Sequence, residues 1–466
     1  MLLLDTKNDL DKNTFLLSEE GSWTYEEVFD AGDSLFKNKE RELVLILCDK
    51  DIDTIIAYVG SLRNNKVPLL IDKSYKKELI ESFIKNYSPH YVISSTVVGL
   101  ENANYEIEQD EYEGFGGFVY KIINMSPYSI SEKLALLIPT SGSTGDPKCV
   151  RLSHDNINSC THSICEYLEF SQERVAISFL PIHYSYGLSV LHNCIYKRAK
   201  YVVSKATILD KNLWEDMEKY EVTDFSAVPF AFKILRKMSL DYDKLRSLKY
   251  VTQAGGYLPE TESLYFYNEF SSHGIKYFTM YGQTEASPRI SYLDPKYAEE
   301  KKGSVGLPIS CGQAFIAETG ETSGVGELCY KGPNVALGYA TGYQDLSKGD
   351  EFKGTLITGD VVEIDSDGFI RIIGRNKRFI KISGISVNLD RIEKDLTEIF
   401  SSSVVIGKDE KLVVLTENES DLISIKDSIV KKYGFNKTFI EVKVMPEVPL
   451  NASGKTDYKL LTDKYL

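Results

Sequence analysis

Along the first 280 residues, short runs of β-branched and aromatic residues alternate with stretches whose apolar positions recur at helical spacing. The runs at 43–48, 66–71 and 90–94 predict strands, with helices near 52–63 and 76–86 between them. The same alternation predicts strands at 135–138, 175–180, 200–203, 224–228, 250–254 and 276–280. Strand and helix in turn imply parallel sheets covered by helices. The fold class expected is therefore α/β, with a large N-terminal domain of parallel, helix-covered sheets.

After Gly303 the pattern changes to short β runs separated by glycine turns, such as 326–330 and 369–373, which predicts a small β-rich subdomain. The stretch 371–381 carries Arg371, Arg375, Lys377, Arg378 and Lys381 and no acid, and reads as a polar junction. Beyond it, strands mixed with helices near 388–399 and 421–433 predict a small α+β C-terminal domain.

A chain of 466 residues exceeds one hydrophobic core, so at least two domains are expected. A net charge of −14 disfavours nucleic acid and anionic membranes as partners. No stretch approaches the length of a transmembrane helix, and the N-terminus lacks the basic and apolar regions of a signal peptide. The seven scattered cysteines, with no C-x-x-C pair, fit a reducing cytoplasm. Cys160, His162 and Cys165 are metal-ligand types, but a spacing of five on a helix turns the two thiols to different faces. They read as ordinary core or surface residues.

The strongest local signal is Thr140-Ser141-Gly142-Ser143-Thr144-Gly145, leaving a strand and followed by Lys148. Glycines let backbone N–H groups approach an anion, hydroxyls donate to it, and the lysine supplies charge. It is neither a Walker A loop, since Pro147 stands where that motif needs glycine, nor a dinucleotide fingerprint. On composition alone, a phosphate cradle and a plain surface loop remain equal readings.

This loop resembles the signature of the acyl-adenylate-forming superfamily, which includes acyl- and aryl-CoA ligases, peptide-synthetase adenylation domains and firefly luciferase. Other motifs of that superfamily follow in order. Tyr281-Gly282-Gln283-Thr284-Glu285 resembles its Y-G-x-T-E segment, which implies Tyr281 beside adenine, Thr284 on the α-phosphate and Glu285 helping to hold Mg²⁺. Gly255 and Gly256 resemble the turn lining the adenine and acyl pockets. Asp360 matches the residue that accepts from both ribose hydroxyls, and Arg375 a second ribose contact. Lys377 matches the hinge, and Lys455, in Pro449-Leu-Asn-Ala-Ser-Gly-Lys455, matches the lysine that bridges carboxylate and α-phosphate.

The resemblance implies domains at 1–374 and 379–466 about a hinge at 375–378. It implies ATP-dependent conversion of a small carboxylic acid to its acyl-adenylate. Transfer to a thiol follows, of coenzyme A or of the phosphopantetheine of an acyl carrier protein. Gly384 would stand beside the thiol tunnel. The acyl pocket would be lined by Gly256, Phe230 and Tyr184, the last at a position where many such ligases carry histidine, with His183 one place early. No aspartate stands in that segment to pair with an α-ammonium, which disfavours amino acids. The competing readings are an amino-acid adenylating enzyme that loads a carrier protein, and a non-catalytic nucleotide-binding protein of the same fold.

Overall fold

The computed structural model describes residues 9–98, 105–107, 114–122, 127–140, 148–382, 385–400, 403–450 and 456–466. Among these, two large sheets organise the chain up to about residue 340. One runs, in spatial order, Leu307–Pro308, Ser291–Leu293, Lys276–Tyr281, Tyr250–Gln253, Asp224–Ala227, Val175–Ile177, Lys200–Val202, Thr14–Ser18 and Gly21–Thr24. The other runs Gly338–Ala340, Cys149–Ser153, Leu134–Pro139, Val67–Asp72, Leu43–Cys48, Tyr91–Ser94, Phe118–Ile122 and Tyr105–Ile107.

The central strands of both sheets are parallel, as the alternation of strand and helix predicts. The margins are antiparallel, and Cys149–Ser153, a strand the sequence reading did not anticipate, returns antiparallel to Leu134–Pro139. Parallel strands buried on both faces read as continuous apolar runs, and Leu43–Cys48 is buried throughout.

The helices His154–Tyr167 and Ser185–Lys197 share one apolar core with strands of both sheets and so join them. Ser185–Lys197 is buried at every position from Ser185 to Ile195, including polar His192 and Asn193. A helix buried all round lies inside a protein rather than on it. Tyr58, from the helix Ile52–Arg63, reaches His192 Nε2 with its hydroxyl at 2.6 Å and so satisfies the buried ring.

A four-stranded antiparallel sheet follows, in the order Gln313–Ile316, Gly324–Lys331, Thr355–Ile364 and Ile370–Arg375, as the glycine-punctuated runs predict. The C-terminal part consists of the hairpin Phe379–Ile382 and Ile385–Asn388, the sheet Ser403–Lys408, Lys411–Thr416 and Ile440–Val444, and three α-helices among the described residues. The helices Leu389–Thr397 and Leu422–Tyr433 close a separate apolar core of their own.

Candidate active site

Three neighbouring parallel strands fix one wall of the site. Asp224–Ala227, Tyr250–Gln253 and Lys276–Tyr281 are in register, with Ala227 opposite Gln253 and Gln253 opposite Thr279. Their carboxyl ends therefore lie side by side and deliver Val228-Pro229-Phe230, Ala254-Gly255-Gly256 and Gly282-Gln283-Thr284-Glu285 to a single edge. Ligands of open α/β sheets bind at such an edge.

Gly255 takes φ of +89°, a conformation costly for any residue with a side chain. A Cβ there would stand 2.4 Å from the Tyr184 hydroxyl oxygen, so Tyr184 covers the glycine turn closely. Burial pushes the Tyr184 hydroxyl up to about 12, so it stays protonated as a donor at neutral pH. His183 turns instead toward Asp72, with Nε2 3.6 Å from Oδ2, and burial holds its pKa below the ordinary histidine value. Phe230 stands half-exposed on the first turn of the helix Pro229–Leu235. Gly256 presents its carbonyl to Gln253 Nε2 at 3.2 Å.

A second wall comes from the four-stranded sheet. Asp360 and Arg375 are register partners on adjacent strands. Asp360 accepts a hydrogen bond from the Tyr281 hydroxyl, and Gln283 Nε2 donates to the Thr358 carbonyl at 3.3 Å. Burial raises the Asp360 carboxyl above its usual range, with Arg375 and the Tyr281 hydroxyl pulling the other way.

The Glu285 carboxylate accepts from the Tyr339 hydroxyl at 2.9 Å. Its carbonyl accepts from Ala336 N at 2.9 Å. Lys148 lies over the face of that same Tyr339, its Nζ 3.4 Å from the ring centroid. Thr140 N donates to the Lys148 carbonyl at 2.9 Å, which closes the base of the loop. Thr284 Oγ1 is 3.0 Å from Ser185 Oγ, at the start of the buried helix.

Tyr281, Gln283, Thr284, Glu285, Asp360, Arg375, Lys148, Thr140, Tyr184 and Gly255 thus converge from separate parts of the sequence. Ser141, Gly142, Ser143, Thr144, Gly145, Gly384 and Lys455 lie outside the described residues. Lys377 falls in the one-turn helix Asn376–Arg378. Leu450 and Thr456, on either side of the segment ending in Lys455, pair as an antiparallel bridge.

Ser185, Tyr339 and Thr358 are members of the site that sequence reasoning did not single out. The pairing of Tyr339 with Glu285 spans 54 positions. No group of three or more histidine, cysteine or acidic side chains suited to a metal occurs among the described residues, and Cys160 and Cys165 are simply buried. Glu285 and Lys148 meet on the two sides of Tyr339, and a hard carboxylate oxygen is the donor type that suits Mg²⁺. Among the described residues no helix is long and apolar enough to cross a membrane.

The AMP-binding enzyme family matches residues 11–340, and the chain belongs to that family. It is 29% identical over 372 residues to a probable 4-coumarate–CoA ligase of Dictyostelium discoideum, covering 74% of this chain and 65% of the relative. The chain thus spans just under two thirds of that relative's length. The o-succinylbenzoate CoA synthetase of Bacillus subtilis, solved with its acyl-adenylate intermediate, superimposes with a TM-score of 0.77 at 19% identity, covering 97% of this chain and 96% of that one. ATP-bound MatB of Rhodopseudomonas palustris gives 0.78 at 20%, covering 99% and 97%. These likenesses establish the fold over almost the full length, the C-terminal part included.

Proposed function

We propose that this protein activates a small carboxylic acid with ATP and then passes the acyl group to a thiol. One observation carries the reading. Tyr281, Asp360 and Arg375, from two different sheets, form a single polar cluster beside Thr284 and Glu285. A carboxylate that can accept two O–H bonds suits a ribose diol. The neighbouring hydroxyl and carboxylate suit the phosphates.

In this reading the acid enters past Tyr184 and the turn at Gly255 and Gly256, with Phe230 on the outer side. A carboxylate oxygen attacks the α-phosphorus, and pyrophosphate leaves. Both partners are anions, so the protein must offset charge that builds between them. Lys455 supplies that charge, and Thr284 donates to the α-phosphate. The loop 140–145 and Lys148 hold the departing phosphates. Glu285 would hold Mg²⁺, which when bound neutralises phosphate charge.

The second half-reaction transfers the acyl group to a thiol. The unit from 379 onward would pivot about 375–378, with Lys377 at the pivot, and bring Gly384 to the thiol's path. The ligases among the relatives support coenzyme A as acceptor, and a carrier protein's phosphopantetheine is the other candidate.

The test is acid-dependent ATP–pyrophosphate exchange over a panel of acids, with Lys455→Ala as control. Exchange with one acid class, lost by about 10²–10³-fold in the variant, is the expected result. Near-normal exchange by the variant would remove Lys455 from the mechanism. Exchange with α-amino acids alone would favour the amino-acid adenylating reading. Bound ATP without exchange for any acid would favour a non-catalytic nucleotide-binding protein.

A further inference from the structure

Arg289 is a buried cation with no aspartate or glutamate partner among the described residues. It is 2% exposed and among the largest wholly buried side chains. Its backbone is fixed, since its N–H donates to the Ala286 carbonyl at 3.0 Å and its carbonyl accepts from Asn334 Nδ2 at 2.9 Å. The guanidinium carbon stands 5.1 Å from the centroid of the Tyr186 ring, and the Tyr167 hydroxyl faces it. Nε has no hydrogen-bond partner.

The other buried arginines behave differently. Arg174 pairs with Asp224, Arg198 with Asp11 and Arg151 with Glu351. No aspartate or glutamate among the described residues pairs with Arg289. A guanidinium does not lose its proton in a protein, so it cannot escape the cost of burial by neutralising. Buried charges are ordinarily paired, and one left alone is strongly unfavourable.

Its place suggests where the missing anion comes from. Tyr186 follows Tyr184 and Ser185 on the buried helix, and the Tyr184 and Tyr186 rings lie 6.3 Å apart. Tyr184 covers Gly255, while Ser185 reaches Thr284. The Tyr186 hydroxyl is held by Thr252 Oγ1 at 2.7 Å. The positive charge of Arg289 bears on the hydroxyls of both Tyr184 and Tyr186. Arg289 thus adjoins the proposed acyl pocket through Tyr186, on the same loop as Thr284.

Resting on the adenylation reading above, we propose that Arg289 is a specificity-determining residue that receives a second carboxylate of the substrate. The enzyme then takes dicarboxylic acids in preference to acids with a neutral tail. One carboxylate reacts beside Thr284, and the other pairs with the guanidinium, whose planar fork matches a carboxylate with two parallel N–H bonds.

The test is ATP–pyrophosphate exchange with matched acids: succinate against butyrate, glutarate against valerate, adipate against hexanoate, phthalate against benzoate. The wild-type enzyme is expected to favour a diacid over its partner by at least about a hundredfold in kcat/KM, as a site built for a polar group rejects an analogue lacking it. Arg289→Met should invert the order, losing the diacid and gaining the neutral-tailed acid. Arg289→Lys should keep the preference in weakened form, with charge but no fork.

Wild-type preference for neutral-tailed acids would overturn this assignment and leave adenylation standing. Equal loss of both acids in Arg289→Met would place the residue on the reacting carboxylate or in the core, and also overturn it. Exchange with no acid at all removes both readings. Should Arg289→Met not fold, the wild-type ranking decides alone.

Discussion

Asp360 and Arg375 face each other across two antiparallel strands, with Asp360 Oδ1 3.3 Å from Arg375 Nε, and the Tyr281 hydroxyl donates to the other carboxylate oxygen. The acid is almost buried whereas the arginine is largely exposed. Burial raises the Asp360 pKa, so its proton returns at a higher pH than for an ordinary aspartate. In the proposed reading the ionised form accepts ribose hydroxyls, so nucleotide affinity should fall as pH drops through this raised value. Calorimetric titration of ATP from pH 8 down into the range where ordinary carboxylates titrate checks this. Asp360→Asn should bind about 10–100-fold more weakly at pH 8, the scale of a lost charged hydrogen bond, and show a flat profile. An equally steep profile in the variant would assign the titration elsewhere.

Gly255→Ala should damage acid use more than ATP binding. The new Cβ would lie 2.4 Å from the Tyr184 oxygen but 3.6 Å from the ring carbon bearing it. Adding Tyr184→Phe removes the clashing atom and should recover part of the loss, leaving backbone strain of about 1–2 kcal/mol at φ +89°. Steady-state KM for the acid, measured in both variants, decides. No recovery in the double variant would show that strain, not the hydroxyl, dominates.

Where the chain passes toward the C-terminal part, Gly374 lies against Asn388, and a Cβ there would stand 2.1 Å from Asn388 Nδ2. Asn388 caps the helix Leu389–Thr397 and donates to the Ile373 carbonyl. Gly374→Ala should therefore loosen this junction, at about 1–3 kcal/mol for overpacking. Limited proteolysis should cut near the junction faster than in the wild type. Unchanged cleavage would mean that the asparagine swings aside freely.

Burial alone holds His192 down to about 3. Its folded pKa lies below the unfolded value near 6.5, so below that pH the unfolded chain binds a proton that the native state refuses. The associated stability is complete above about pH 6.5 and is lost as pH falls toward 3. Between pH 6.5 and 5 the loss should be about 2 kcal/mol. Urea unfolding at pH 7 and pH 5 measures it, and His192→Gln should flatten the difference. Equal slopes in the two proteins would refute the assignment.

The features legible in the sequence were those that chemistry imposes locally. The strands at 43–48, 224–227 and 276–281 declared themselves because apolar runs leave little choice of burial. The candidate site segments stood out because glycines and hydroxyls follow one another there in an order that few other uses require. Cys149–Ser153 was missed because Arg151 in its centre reads as solvent-facing. The structure buries that side chain against Glu351 and the carbonyls of Leu337, Tyr339, Lys348 and Gly349, nearly 190 or more positions away. Arg289 was missed for a related reason. Whether a charge has a partner is settled by every chain segment that surrounds it, and no window of sequence contains that fact.

Both large sheets are finished by strands from distant parts of the chain. Leu16 pairs with Tyr201, and Arg151 with Gly338. During synthesis at about 5–20 residues per second, the first strand would wait roughly 10–40 s for this parallel neighbour to emerge, paired until then with Gly21–Thr24 alone. Its Phe15 and Leu16, wholly buried in the finished protein, would spend that interval exposed or in the keeping of another molecule. The strand Cys149–Ser153 waits on residue 338 in the same way. The two large sheets can therefore close only after residues 307 and 338 have been made, so co-expression with a chaperone that holds nascent chains should raise the yield of folded protein.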